Sequence, residues 1–437
     1  MTAPLRIGLA GLGTVGTGVV KMIETHAGLI ATRAGRPVEI ATVSARSRRR
    51  DRGVDLAGYA WEDDPVALAR RDDVDLVVEV IGGEDGPALA TARAALAGGK
   101  HLVTANKAMM ARHGLPLAAE AEAKGVALRF EAAVAGGIPV VKALTEGLAG
   151  NAIGRVMGVL NGTCNYILTR MQAEDAPYAQ VLEAAQRLGY AEADPSFDVG
   201  GIDAAQKLAL LATIAFGAPV EVEAMTVEGI ERVSLADIEH AAELGYRIKL
   251  LGVAQAAGGA LEARMQPCLV PVGSPIGQLE GVTNMVVLEG DFVGRIVLSG
   301  PGAGEGPTAS AIVGDVIDIA RGVLLPPFGQ PAAGLVGAAP AGSGLAPVPA
   351  GGGAPAAYYL RFLLADAPGV LARVAAALGE AGISINRMRQ VEHDGPEAPV
   401  LIVSHRTDRA PLDAALAAIA RLDVCREAPV AIRIEEI

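Results

Sequence analysis

Leu5-Arg6-Ile7-Gly8-Leu9-Ala10-Gly11-Leu12-Gly13-Thr14-Val15-Gly16 is a short apolar run that passes directly into Gly-x-Gly-x-x-Gly and then into helical periodicity. In that setting each glycine has a mechanical task. Gly11 permits the tight turn, Gly13 leaves room for a pyrophosphate against the backbone, and Gly16 lets the next helix lie close to the strand. The amides of the first helical turn, at Thr14, Val15 and Gly16, lack intrahelical partners, and the helix dipole favours an anion beside them. Glycine patterns alone are common in plain turns; a strand before and a helix after make this one a dinucleotide fingerprint.

Working outward, Val38–Ser44, Val74–Val80, His101–Thr104 and Val126–Glu131 read as further strands between helical stretches. This is the rhythm of a Rossmann-type doubly wound sheet, assigned to residues 1–134. Residues 135–328 read as a mixed α/β substrate domain, with helices at Ala179–Leu188 and Ala204–Ala215 and strands at Leu261–Val270, Met285–Glu289 and Arg295–Ser299. The helix at 307–321 is a candidate to return to the first domain. Residues 329–357 are almost all Gly, Ala and Pro, a composition expected of a linker. Residues 358–437 spell βαββαβ, a ferredoxin-like module, with Val370, Leu371, Val374 and Leu378 on one face of its first helix.

Composition narrows the function. A chain of 437 residues that is 51% apolar has material for two or three cores. Its longest apolar run, Leu208–Val220, falls short of the roughly 20 residues of a membrane helix, so no span is expected. A net charge of -12 argues against nucleic acid as a partner. No basic head and apolar signal segment precede Leu5, and the three cysteines are far apart and odd in number, so a cytoplasmic protein with reduced thiols is expected.

Four further stretches can carry chemistry. Where an NAD site places an acid after the second strand, this chain has Ser44-Ala45-Arg46-Ser47-Arg48. Arg46 suits the 2′-phosphate of NADP; a solvated charge run, with NAD as cofactor, is the alternative. In Gly189-Tyr190-Ala191-Glu192-Ala193-Asp194-Pro195-Ser196-Phe197-Asp198-Val199-Gly200-Gly201-Ile202-Asp203-Ala204-Ala205-Gln206-Lys207, Asp203 and Lys207 stand i, i+4 at the start of an apolar helix. An exposed ion pair is the plain reading; an inward lysine able to act as acid or base, among carboxylates able to hold an ammonium, is the other. Asn161-Gly162-Thr163-Cys164-Asn165 reads as a polar turn whose helix amides suit a carboxylate, with Cys164 either a small structural residue or a thiolate nucleophile. The glycine turn in Phe130–Pro139 is a candidate hinge between domains, and the one at Gly300–Thr308 is either a cover for the cofactor or a plain tight turn.

In this order and spacing, the fingerprint, Thr104-Ala105-Asn106-Lys107, Asn161-Gly162-Thr163-x-Asn165-Tyr166-Ile167, the block from Gly189 to Lys207 and the Gly300 loop closely resemble homoserine dehydrogenase. The resemblance spans essentially the whole chain. Asp366-Ala367-Pro368-Gly369-Val370-Leu371 and Gly382-Ile383-Ser384-Ile385-Asn386 resemble an ACT domain, as in the monofunctional form of that family. The resemblance implies reversible NAD(P)-dependent oxidation of L-homoserine to L-aspartate 4-semialdehyde, on the route to threonine and methionine. It implies Lys207, Asp203 and Lys107 as catalytic residues, and Glu192, Asp198, Asp203 and Thr163 as substrate ligands. It places the cofactor on Gly11, Gly13, Thr14, Val15, Gly16, Arg46, Thr104, Lys107, Gly189 and Gly304. It further implies a sodium ion on Glu131, Val134, Gly136 and Ile138, threonine as an effector near Asp366, Gly369 and Asn386, and a homodimer or homotetramer paired through the substrate domain. Two rivals are an aspartate-semialdehyde dehydrogenase built on Cys164 and a non-catalytic sensor of nucleotide and amino acid.

Overall fold

Strand β1 (Leu5–Ala10) is buried along nearly its whole length, which is why its sequence is continuously apolar rather than alternating. The computed structural model describes residues 3–257, 259–335, 346–347, 353–391 and 394–437. After β1 come α1 (Thr14–Thr25), α2 (Ala27–Ala34), β2 (Val38–Ser44), β3 (Ala60–Glu62), α3 (Pro65–Arg70), β4 (Leu76–Glu79), α4 (Pro87–Ala97), β5 (His101–Thr104), α5 (Lys107–Lys124) and β6 (Leu128–Arg129). The six strands are parallel in the order β3-β2-β1-β4-β5-β6. The order reverses between β1 and β4, so a crevice opens at their carboxyl ends, where doubly wound sheets bind ligands. The strand expected over Val126–Glu131 is only two residues long, because the chain turns out of the sheet into a 3-10 turn at Glu131–Ala133. Phe130 meets Phe328 there, ring centroids 5.2 Å apart.

The chain continues through α6 (Val140–Lys142), β7 (Ile153–Val159), α7 (Gly162–Glu174), α8 (Tyr178–Arg187), α9 (Ser196–Val199), α10 (Ile202–Phe216), β8 (Thr226–Val227), α11 (Leu235–Glu243), β9 (Tyr246–Ala257), β10 (Ala260–Pro271), β11 (Thr283–Gly290), β12 (Gly294–Pro301) and α12 (Glu305–Ala320). Helix α12 does return to the first sheet: Ala309, Ile312, Val313, Val316 and Ile319 share a buried cluster with Ile7, Val19 and Val20. Gly18 makes the approach possible, since a Cβ there would stand 2.8 Å from the Glu305 carbonyl oxygen.

After a two-residue strand β13 (Ala346–Pro347) come β14 (Ala357–Ala365), α13 (Val370–Glu380), β15 (Ile385–Gln390), β16 (Glu397–Ser404), α14 (Arg409–Ala420) and β17 (Val430–Ile434), the expected βαββαβ. Its sheet is not separate: β17 pairs in parallel with β10, Cys268 opposite Arg433, so one 11-stranded sheet runs from β12 to β15. The stretch read as a linker starts with structure. Ala332 and Leu335 are buried, and Glu122 accepts the Ala332 N–H at 3.1 Å, because one leucine and one carboxylate suffice to anchor a small-residue turn. Residues 336–345 and 348–352 of that stretch lie outside the described residues. Among the described residues, no helix is long and apolar enough to cross a membrane.

Candidate active site

The fingerprint turn joins β1 to α1 with Gly11 at φ +113°, where a Cβ would lie 2.5 Å from the Val80 carbonyl oxygen. A Cβ on Gly16 would fall 2.0 Å from the Gly11 carbonyl oxygen, whereas one on Gly13 would meet nothing within 4 Å. The first and third glycines thus serve packing, and the second faces open space beside the first-turn amides of Thr14, Val15 and Gly16. No side chain caps that helix, which leaves those N–H groups to a ligand. Arg46 is exposed on the loop after β2, and Arg52 ties that loop to the fingerprint by donating to the Leu12 carbonyl at 3.0 Å and the Ser47 carbonyl at 2.6 Å. Gly304, at φ +119°, caps α12, whose Glu305 pairs with Lys21 of α1 at 2.7 Å.

The second group of residues meets where α5 and α10 face each other. Gly201, in the left-handed region at φ +85°, starts α10, and Asp203 and Lys207 follow one turn apart on its inner side. Lys207 Nζ donates to Asp203 Oδ2 at 2.7 Å and to the Leu160 carbonyl at 2.8 Å, its side chain only 12% exposed. The other oxygen of Asp203 pairs at 3.0 Å with Lys107, the first residue of α5. Asn161 Nδ2 donates to both Asp203 (3.0 Å) and Asp198 (2.8 Å). Burial alone pushes the Asp203 carboxyl up, but the two ammoniums and Asn161 more than reverse it and hold it well below the usual carboxylate range. Asp198 moves the other way, raised by burial and by the charge of Asp203.

The remaining substrate candidates divide. Thr163, in the first turn of α7, donates to the Tyr190 carbonyl at 2.6 Å and so docks the turn containing Gly189 onto that helix. Glu192 is exposed in the same segment, outside the hydrogen-bonded cluster. The ring of Phe197 lies 6.0 Å from Lys107 Nζ, and with Ile202, Gln206, Met110 and Leu115 it lines a cavity of about 1020 Å³ between α5 and α10. Asn161 was visible in the sequence only as part of the polar turn. Its spacing to Cys164, whose N–H it caps at 2.8 Å, was the available signal.

Cys164 is fully buried, its thiol 3.2 Å from the Asp198 carbonyl oxygen, and burial together with Asp198 and Asp203 pushes it well above the ordinary thiol range. A thiolate is what this site opposes. Cys164→Ser is therefore expected to keep kcat within about threefold of the parent in a steady-state assay, and a collapse would restore the cysteine mechanism.

Glu131 is buried in the 3-10 turn, and its carboxylate accepts the N–H groups of Val141 (2.9 Å) and Lys142 (2.7 Å). Burial and the nearby Asp315 charge raise it to about 7. Val134, Gly136 and Ile138, whose carbonyls the resemblance assigns to a sodium ion together with Glu131, follow in the same turn. The Ile138 carbonyl also accepts the Val140 N–H at 2.8 Å. No cluster of three or more His, Cys, Asp or Glu able to hold a metal occurs among the described residues. In the terminal module, Gly369 at φ +86° starts α13 just beyond Asp366, and Asn386 is exposed on β15.

The comparisons with known proteins agree along the whole chain. The profile described as homoserine dehydrogenase, NAD binding domain, matches residues 11–131, that of homoserine dehydrogenase matches 139–317, and that of the ACT domain matches 358–424. The homoserine dehydrogenase of Pseudomonas aeruginosa is 42% identical over 99% of both chains, and that of Bacillus subtilis 38% over 99% of this chain and 98% of its own. The crystal structure of a homoserine dehydrogenase from Thiobacillus denitrificans superposes with a TM-score of 0.92 at 40% identity, covering 99% of each chain. A hyperthermophilic archaeal homoserine dehydrogenase in complex with NADPH matches 72% of this chain and 97% of its own, with a TM-score of 0.63 at 25% identity.

Proposed function

The chain belongs to the homoserine dehydrogenase family, and from that premise we propose that it interconverts L-homoserine and L-aspartate 4-semialdehyde, with Lys207 moving the proton at the substrate oxygen. The observation that carries this reading is one carboxylate, Asp203, bridging Lys207 at 2.7 Å and Lys107 at 3.0 Å. When bound, a nicotinamide cofactor would supply the hydride acceptor for the carbinol carbon or the hydride donor for the aldehyde carbon. A hydroxyl whose carbon loses hydride must also lose its proton, and Lys207 Nζ in its neutral form accepts it. In the reverse direction the ammonium gives that proton to the aldehyde oxygen. Oxidation of one homoserine thus releases one proton beyond the hydride transferred.

Asp203 orients Lys207, while Lys107 adds positive charge beside the reacting oxygen. Asp198, Asp203 and Glu192 offer carboxylates to the substrate ammonium, and the backbone N–H of Thr163 in the first turn of α7 offers a donor to the substrate carboxylate, its hydroxyl being committed to the Tyr190 carbonyl. On the cofactor side, Gly13 and the first-turn amides of Thr14, Val15 and Gly16 would hold the pyrophosphate, with Gly11 shaping the turn and Thr104, Lys107, Gly189 and Gly304 as the further cofactor contacts. Arg46 at a 2′-phosphate makes NADP the preferred form, with NAD the alternative. A sodium ion held by Glu131, Val134, Gly136 and Ile138 would supply charge at the hinge turn. Threonine binding near Asp366, Gly369 and Asn386 would make the enzyme feedback-regulated, and pairing through the substrate domain would make it a homodimer or homotetramer acting in the cytoplasm.

Steady-state oxidation of homoserine with NADP and with NAD, each with and without threonine, tests the reading. Expected are reduction of the nicotinamide with homoserine, a higher kcat/KM with NADP, and a lower rate when threonine is present. Homoserine that reduces neither cofactor leaves only the binding sensor.

A further inference from the structure

Glu79 ends β4 as a carboxylate within the apolar run Leu76-Val77-Val78-Glu79-Val80-Ile81, and it is completely buried. In register it lies between Ala10 of β1 and Thr104 of β5, at the carboxyl edge of the sheet where the strand order reverses. One of its oxygens accepts the N–H groups of Ile81 at 2.7 Å and Gly82 at 3.3 Å. The other accepts the Thr104 hydroxyl at 2.6 Å. That hydroxyl oxygen in turn accepts the Asn106 N–H at 3.0 Å. Asn106 then caps α5 through the Met109 N–H at 3.1 Å and donates to the Gly83 carbonyl at 2.7 Å. The first residue of the helix so held is Lys107, whose ammonium meets Asp203.

From this chain of contacts we propose that Glu79 is a positioning residue for the dehydrogenase reaction, setting Lys107 against Asp203 through Thr104 and Asn106. A carboxylate suits the task because every group facing it is a donor. Glutamine keeps the two N–H groups on its oxygen only by turning its NH₂ to Thr104, whose hydroxyl oxygen already accepts the Asn106 N–H and would then have to accept a second donor while its own buried O–H loses its acceptor. Burial raises the Glu79 carboxyl, and the surrounding donors only partly offset that cost, so packing alone does not account for an acid here. The same carboxylate shapes the turn after β4, beside which Gly11 lies against Val80, so the floor of the cofactor crevice and the lysine are set together.

The proposal rests on the role given to Lys107 above, and a double-mutant cycle on the full-length enzyme separates the two. Glu79→Gln is expected to lower kcat about 30-fold while the KM for homoserine and the Kd for NADPH stay within about threefold. In a Lys107→Ala background the same change is expected to cost less than about threefold, because the lysine it positions is gone. A Glu79→Gln enzyme with parental kcat, or a loss that persists undiminished in Lys107→Ala, overturns the proposal and leaves the role of Lys107 standing. Full activity in Lys107→Ala alone overturns the role of Lys107, and the proposal with it. Thr104→Val is the second variant, should Glu79→Gln fail to fold. It cuts the link at the hydroxyl but spares the Ile81 and Gly82 bonds; because Thr104 is itself placed at the cofactor, its cycle is read on kcat at saturating NADP, and a loss that persists undiminished in Lys107→Ala again overturns the proposal.

Discussion

Lys207→Met is expected to keep about a thousandth of the parental kcat or less, with the KM for homoserine changed by less than about tenfold and NADPH binding unaltered. An ammonium has three N–H donors. At Lys207 two are committed, to Asp203 at 2.7 Å and to the Leu160 carbonyl at 2.8 Å, which aims the third and leaves it for the substrate oxygen. Methionine keeps the length and apolar contacts of the side chain but can neither hold nor release a proton, so the loss reports the proton step rather than packing. Lys207→Arg keeps the positive charge, yet a guanidinium does not deprotonate near neutral pH, so it is expected to rescue no more than a small fraction of the rate. Steady-state kinetics on both variants, with NADPH affinity from fluorescence titration, checks this. A Lys207→Met enzyme above a tenth of parental kcat removes the lysine from the reaction.

That lysine was legible because Asp203 and Lys207 are one helical turn apart at the head of an apolar helix, a local pattern. The fingerprint was legible for the same reason, each glycine answering a steric demand made by its near neighbours. The approach of Lys107 to Asp203 is different. It depends on α5 packing against α10, elements far apart in the sequence, and no short-range periodicity encodes it; the family resemblance implied only that both residues take part in the chemistry. Glu79 left a signal, a carboxylate inside an apolar strand, but its partners Thr104 and Asn106 belong to the next strand and turn. Strand β9 escaped notice because Arg247, Lys249 and Gln255 interrupt its apolar pattern, although Lys249 is buried and donates to Asn165 at 2.9 Å. Likewise, the composition of the Gly/Ala/Pro stretch conceals the anchor that Leu335 provides. The union of the terminal module with the central sheet was also invisible, since β10 and β17 pair through backbone groups that any sequence possesses.

At that union, Glu435→Ala is expected to destabilise the docking of the terminal module by about 3–5 kcal/mol, the cost of removing one partner from a buried ionic cluster. Glu435 is 5% exposed, and its carboxylate meets Arg264 of β10 at 2.6 Å, Arg433 of β17 at 3.1 Å and also Arg155 of β7. Arg264 and Arg433 are themselves buried, so without Glu435 their charges face one another with Glu262 beside Arg264 as the remaining paired carboxylate among the described residues. Burial pushes the Glu435 carboxyl up, and the three arginines more than reverse that, leaving it below its ordinary value. The sign of the pH dependence follows. A depressed carboxyl contributes its full stabilisation above its unfolded value of about 4.3, and loses it as the pH falls through the lower folded value. The difference between parent and variant is therefore expected to be largest near neutrality and to shrink in acid. Scanning calorimetry of the full chain at several pH values, with hydrogen exchange of β10 and β17, measures it. The expected result is a separate, earlier transition with faster exchange in those two strands, while β1 and β4 keep their protection. A single transition within about 2 °C of the parent at pH 7 would show that Asp237, which holds Arg361 at 2.7 Å and the Tyr359 hydroxyl at 3.2 Å across the same boundary, carries the docking instead.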